Sequence, residues 1–420
     1  MTDMKKIFKY ALLFMAACTM TMGFTSCSDD NDNDGGSSLT EKEVALRALT
    51  NKYVNNVIYP TYGNLAAQTE KLYDLLEDAT DKFNNNSLTQ SDIDEICNTF
   101  LSARSYWEKS EAFLYGAATD FGIDPHIDTW PLDVKVLANT LKDAERIEDL
   151  QGEDGIEYAR ANLGEQLLGF HGIEFIIFRD GQNRKLTDLK AYEKDENFAG
   201  SKVNGRQELI YATAVAGDLR DKCYQMEVAW MGEKAPQAHV NRVEECEFTT
   251  TVNGVDGLYY GNNMLNAGNA GSTYASWFNV AYTILVSGCS NIAVEVADQK
   301  MGQANRGDDV NYIESPYSKK SFTDFYDNIA SIKNSLYGNY DKETPDNESI
   351  MSYLRKYNNE LAARLQTNLD AALASLITCI NSGTAFVDNP KASYVSDAMN
   401  KIDDLDEVLN EAATWITRNH

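Results

Sequence analysis

Apolar side chains recur at i, i+3 and i+4 in long blocks over most of this 420-residue chain, and strand-like alternation is scarce. That spacing gathers apolar residues on one stripe of a helix, whereas a half-buried strand needs a period of two. The pattern predicts an all-α protein. One block covers about 40–83: Thr40 and Glu43 read as a capping box, Leu65, Leu72, Leu75 and Leu76 mark the apolar face, and Pro60 marks a bend. Further blocks cover about 88–118, 132–147, 155–178, 205–231, 273–301, 319–336, 347–382 and 391–417, with Pro131 suited to the first helical position of the 132–147 block. Between Lys234 and Ser272 the texture turns to Asn, Gly and Thr, as in Gly261-Asn262-Asn263. Division there gives residues 39–233 and 234–420, two antiparallel helical bundles. A faint echo of Tyr106-Trp107-Glu108 in Tyr312-Ile313-Glu314 hints at an internal duplication.

The N-terminus reads as an address. Lys5, Lys6 and Lys9 precede an apolar stretch, residues 11–17, that is too short to span a bilayer, so residues 1–26 read as a secretory signal. Phe24-Thr25-Ser26-Cys27 resembles a bacterial lipobox, which makes Cys27 the lipidation site, and residues 27–38 form a polar, acidic tether. An acidic run at that place resembles the surface-export signal of Bacteroidetes lipoproteins. The expected location is the cell envelope, lipid-anchored to the outer membrane and surface-exposed. Net charge is -27, and loss of three Lys and one Asp with the signal takes it to -29. Such a chain is not drawn to nucleic-acid phosphates or to anionic lipid, so the acyl chain is its only expected hold on a membrane. Among the cysteines after Cys27, Cys97, Cys289 and Cys379 lie in apolar surroundings and read as small core residues, while Cys223 and Cys246 are the expected pair if a disulfide forms.

Chemistry centres on the segment from Asn162 to Asp180. On the 155–178 helix, Gly164, Leu167, Leu168, His171, Glu174, Phe175 and Phe178 share a 120° sector, so a histidine and a carboxylate point the same way from an apolar helix. A buried carboxylate needs a cation, a hydrogen bond or a metal. His171 with Glu174 is also the i, i+3 pair by which helix bundles hold ions, although a satisfied core pair has the same spacing. Neither HExxH nor its inverse is present, since Phe175 follows Glu174. His126, His239 and His420 are the other histidines, so further ligands should be oxygen donors, which suit iron, calcium or zinc. Glu111, on a face with Trp107 and Arg104, and Asp133 are added metal-ligand candidates; Glu111 equally reads as a buried carboxylate neutralised by Arg104, Asp133 as a helix cap, and Ser318 and Ser321 read as caps. Serine-hydrolase elbows and phosphate loops are missing.

Gly169-Phe170-His171-Gly172-Ile173-Glu174 matches the GxHxxE motif of the imelysin family. Pro60-Thr61-Tyr62, the 103–113 segment, Ile127-Asp128-Thr129-Trp130-Pro131-Leu132-Asp133 and the 315–324 segment resemble further family elements in the same order. The resemblance implies two helical bundles and an envelope location. It also implies either a metal-binding protein linked to iron or a metallopeptidase. In the first case His171 and Glu174 hold a metal or metal-bearing ligand. In the second they form the catalytic pair, with His171 on zinc and a carboxylate activating water. A non-metal module binding peptide or glycan through its 23 Tyr and 5 Trp is a third reading.

Overall fold

The computed structural model describes residues 39–254 and 256–419. The secretory signal, Cys27, the tether and His420 lie outside the described residues. As the periodicity predicts, the fold is all-α; the described strands are one two-residue antiparallel pair, Phe178–Arg179 with Gln182–Asn183. The long helices are α1 (Glu41–Tyr53), α2 (Tyr59–Asn84), α3 (Gln90–Glu108), α4 (Gly169–Ile177), α5 (Gly205–Met231), α6 (Trp277–Arg306), α7 (Ser321–Tyr337), α8 (Asn359–Ile380) and α9 (Ser393–Arg418). Helices α2, α3 and α5 pair in the first half, and α6 to α9 in the second. The two bundles share one apolar core, and Thr40–His420 forms a single compact unit.

Thr40 caps α1 through a capping box with Glu43. A wide π-type turn at Val54–Ile58 joins α1 to α2, and Pro60 sits just after it, in the first turn of α2, where its missing N–H is cheapest. Helix α6 is long and apolar enough to cross a membrane, yet Val280, Ile284, Leu285, Ile292 and Val296 are all at 0% exposure inside the core. Each such side chain contributes about 2 kcal/mol by leaving water.

Several predicted blocks are broken. The 155–178 block splits into Gly152–Asn162 and α4, because Gly164 and Leu168 are extended and a 3-10 turn intervenes, so the sector drawn through Gly164 does not exist. The 132–147 block begins at Val134, not Pro131, and Asp133 caps it by accepting from the Val136 N–H at 2.9 Å. Asn358 divides the 347–382 block by capping α8. Cys223 and Cys246 are both free thiols, which overturns the expected pairing: Cys246 faces Arg160 and Asp221, while Cys223 is buried in the core.

Candidate metal centre

The Gly-x-His-Gly pattern is a packing requirement before it is a chemical one. Gly169 opens α4 with φ +66°, and a Cβ there would stand 1.8 Å from the carbonyl oxygen of Ile127. A Cβ on Gly172 would stand 2.3 Å from the Tyr211 hydroxyl. Only glycine lets α4 press against the Ile123–Ile127 helix and α5 this closely. The close approach sets His171 Nε2 3.0 Å from Asp128 Oδ1, while Nδ1 faces Glu174 Oε2 at 3.5 Å.

Around this pair lies a wholly buried ionic centre. Arg104, from α3, donates to Asp128 and, at 2.6 Å, to Glu314, and it pairs with Glu108 at 2.5 Å. Its guanidinium also lies over the Phe170 ring, 5.1 Å from the centroid. Trp107 Nε1 donates to the second oxygen of Asp128 at 2.7 Å. Glu174 Oε1 accepts from the backbone N–H of Ser318 at 2.7 Å, and Glu108 Oε2 accepts from Asn328 Nδ2. From α6, Lys300 Nζ donates to Glu314 Oε1 at 3.2 Å and lies near Glu111 and Glu108.

The charges do not balance. Glu108, Glu111, Asp128, Glu174, Glu314 and Asp324 are all buried, against Arg104, Lys300 and His171. Six carboxylates face three cations, with half-buried Asp124 and Glu295 alongside. Burial, only partly offset by Lys300, pushes Glu111 well above the usual carboxylate range and raises Glu314 above its ordinary value. Burial and the neighbouring Glu108 do the same to Asp324, and burial with Asp128 lifts Asp124 to about 7. Asp128 is the exception: burial raises it, but Arg104 and His171 hold it below the ordinary value. Burial disfavours the His171 imidazolium, yet Asp128 and Glu174 hold it at about 9.

The donor set fits a cation. Asp128, His171 and Glu314 each offer a ligand atom within 4.8 Å of the others, and Glu108, Glu111 and Asp128 do likewise. Glu314 Oε2 and Asp324 Oδ2 are buried without a hydrogen-bond partner, an arrangement that costs free energy unless something positive meets them, and Glu174 Oε2 faces only His171 Nδ1, at 3.5 Å. One imidazole among carboxylates suits iron, manganese or zinc.

Of the residues singled out from sequence, His171, Glu174 and Glu111 are brought into the centre. Asp133 is not; it is the exposed cap described above. Helix α3 stops at Glu108, so Glu111 sits in a separate 3-10 turn and faces Lys300, while Arg104 serves Glu108, Asp128 and Glu314. Ser318 and Ser321 are not caps: the Ser318 backbone binds Glu174, and the Ser321 hydroxyl donates to the carbonyl of Glu314. Sequence reasoning did not select Asp128, Glu108, Glu314, Asp324 or Lys300. The Tyr-x-Glu echo was a usable signal, since Glu108 and Glu314 both meet Arg104 and Lys300.

The family model described as Imelysin matches residues 58–412. Iron-regulated protein A of Synechococcus elongatus is 24% identical over 276 residues, 66% of this chain and 60% of that protein. The chain thus matches about 60% of the length of this curated relative. Among solved structures, an iron-regulated protein A precursor from Parabacteroides distasonis gives a TM-score of 0.71 at 22% identity, over 90% of this chain and 96% of that one. An imelysin-like protein from Psychrobacter arcticum gives 0.54 at 14% identity, over 87% and 93%. At these identities the structural likeness carries the fold.

Proposed function

This chain belongs to the imelysin family, and we propose that it binds a metal ion, iron or an iron-like ion, at the buried centre, as a lipoprotein held in the outer membrane through Cys27. Asp128, His171 and Glu314 would hold the ion, with Glu174 orienting His171 and able to join them. The observation that carries this reading is the surplus of buried carboxylates, two of them, Glu314 and Asp324, with an oxygen that has no hydrogen-bond partner, around one histidine. Bound there, the ion supplies the positive charge these side chains lack. The similarity to iron-regulated protein A supports iron as the first ion to try. With its acidic surface the chain is expected to take an ion or a small metal-bearing ligand as partner, and no nucleic acid.

Peptide hydrolysis is the weaker reading. His171 is 2% exposed and Glu174 0% exposed, so a polypeptide reaches them only if the helices rearrange, and a catalytic ion also needs an open coordination position. The test is metal content by mass spectrometry after stripping and reloading with iron, manganese or zinc. One ion per chain is expected in the wild type, lost in His171→Ala and Glu314→Gln with helicity unchanged. A wild type that takes up none of the three ions overturns the proposal. Cleavage of a peptide library by the loaded protein would restore the peptidase.

A further inference from the structure

Two ion-sized groups of ligands share one carboxylate. Asp128 joins His171 and Glu314 in the first group, and joins Glu108 and Glu111 in the second. A carboxylate common to two such groups inside a helical bundle is the layout of a two-metal site. The second group, however, already contains a cation. Lys300 is 2% exposed, and its Nζ lies 3.2 Å from Glu314, 3.6 Å from Glu111 and 3.8 Å from Glu108.

Resting on the metal-binding reading above, we infer that Lys300 is a built-in cation filling the second half of a carboxylate-bridged pair of ion sites, and that it restricts the centre to one metal ion. Three observations carry this. An ammonium has three N–H donors, yet only the Glu314 contact is a hydrogen bond; the group surrounds Lys300 with charge and not with matched acceptors. The second group is made wholly of carboxylate oxygens, the donors a hard divalent ion takes. Lys300 also closes a π-type turn, Glu295–Lys300, in α6, and such turns redirect side chains away from the regular helical register.

The experiment counts ions with Mn2+ as the probe, by equilibrium dialysis with mass spectrometry, and reads their spacing by electron paramagnetic resonance. It compares the full chain with Lys300→Met, Lys300→Arg and the double variant Lys300→Met/Glu111→Gln. The wild type and Lys300→Arg should bind one ion. Lys300→Met should bind two, with the exchange-coupled signal of a bridged pair, and the double variant should return to one. If the wild type and Lys300→Met both bind one, the inference falls while the metal-binding reading stands. If neither binds any, that reading falls and takes the inference with it. Should Lys300→Met not fold without metal, it is refolded in Mn2+: recovery with two ions supports the inference, and no recovery while the charge-balanced double variant folds overturns it.

Discussion

Two buried acidic clusters take side chains from both halves of this chain, and they are solved in opposite ways. In one, Asp221 accepts from three guanidiniums, those of Arg160, Arg220 and Arg242, and Asp218 accepts from Arg160 and pairs with His126. Both oxygens of each carboxylate are engaged. Burial raises Asp221, but Arg242 and Arg220 hold it below the ordinary value, so it stays ionised. In the other, around Asp128 and His171, carboxylates outnumber cations two to one, oxygens lack partners, and burial pushes Glu111, Glu314 and Asp324 upward. Buried acid alone therefore says little. The first cluster is closed by its own cations, whereas the cation deficit of the second is the feature on which the metal-binding proposal rests.

The strongest way to break this contrast is Asp128→Asn. It leaves Arg104 and His171 without their shared counter-charge, and loss of one partner from such a buried network costs about 4 kcal/mol. Denaturant unfolding should show that loss, and metal uptake should vanish with it. Next in size is pH. His171 in the metal-free protein is raised from 6.5 to about 9, so its stabilisation is whole below pH 6.5 and lost as pH climbs through 9, about 3 kcal/mol in all. Asp221 is depressed, so its contribution is present above pH 3.8 and lost as pH falls through its folded value. The two clusters should fail at opposite ends of a pH titration of unfolding. Metal-loaded protein, where His171 no longer carries the proton, should lack the alkaline loss; an identical alkaline limb with and without metal would remove His171 from the ligands. The smallest effect is Arg242→Ala. Asp221 keeps Arg160 and Arg220, so about 1 kcal/mol of stability should go while ion stoichiometry stays the same. A change in stoichiometry would join clusters that the contrast keeps apart.

Helix type was legible because it is local. The capping box at Thr40 and the span 205–231 follow from residues a few positions apart, and the structure keeps both. Helix breaks were harder to read. Asn358 and Asp143 each end one helix and cap the next, and nothing in the apolar period announces that. In the centre, His171 and Glu174 stood out because i, i+3 spacing reports a shared face, while Asp128, Glu314 and Lys300 lie 43, 143 and 129 positions from His171 in the numbering.

By itself the sequence determined an all-helical chain, the apolar stripes that pack it, and a helix that presents a histidine and a glutamate together. It did so because helical period and capping act over four residues. Tertiary structure alone decided which distant acids join that pair and which cations reach them. Charge balance in a buried site is a sum over neighbours in space, and that sum is set only when α3, α4, α6 and the loop carrying Glu314 close on one another.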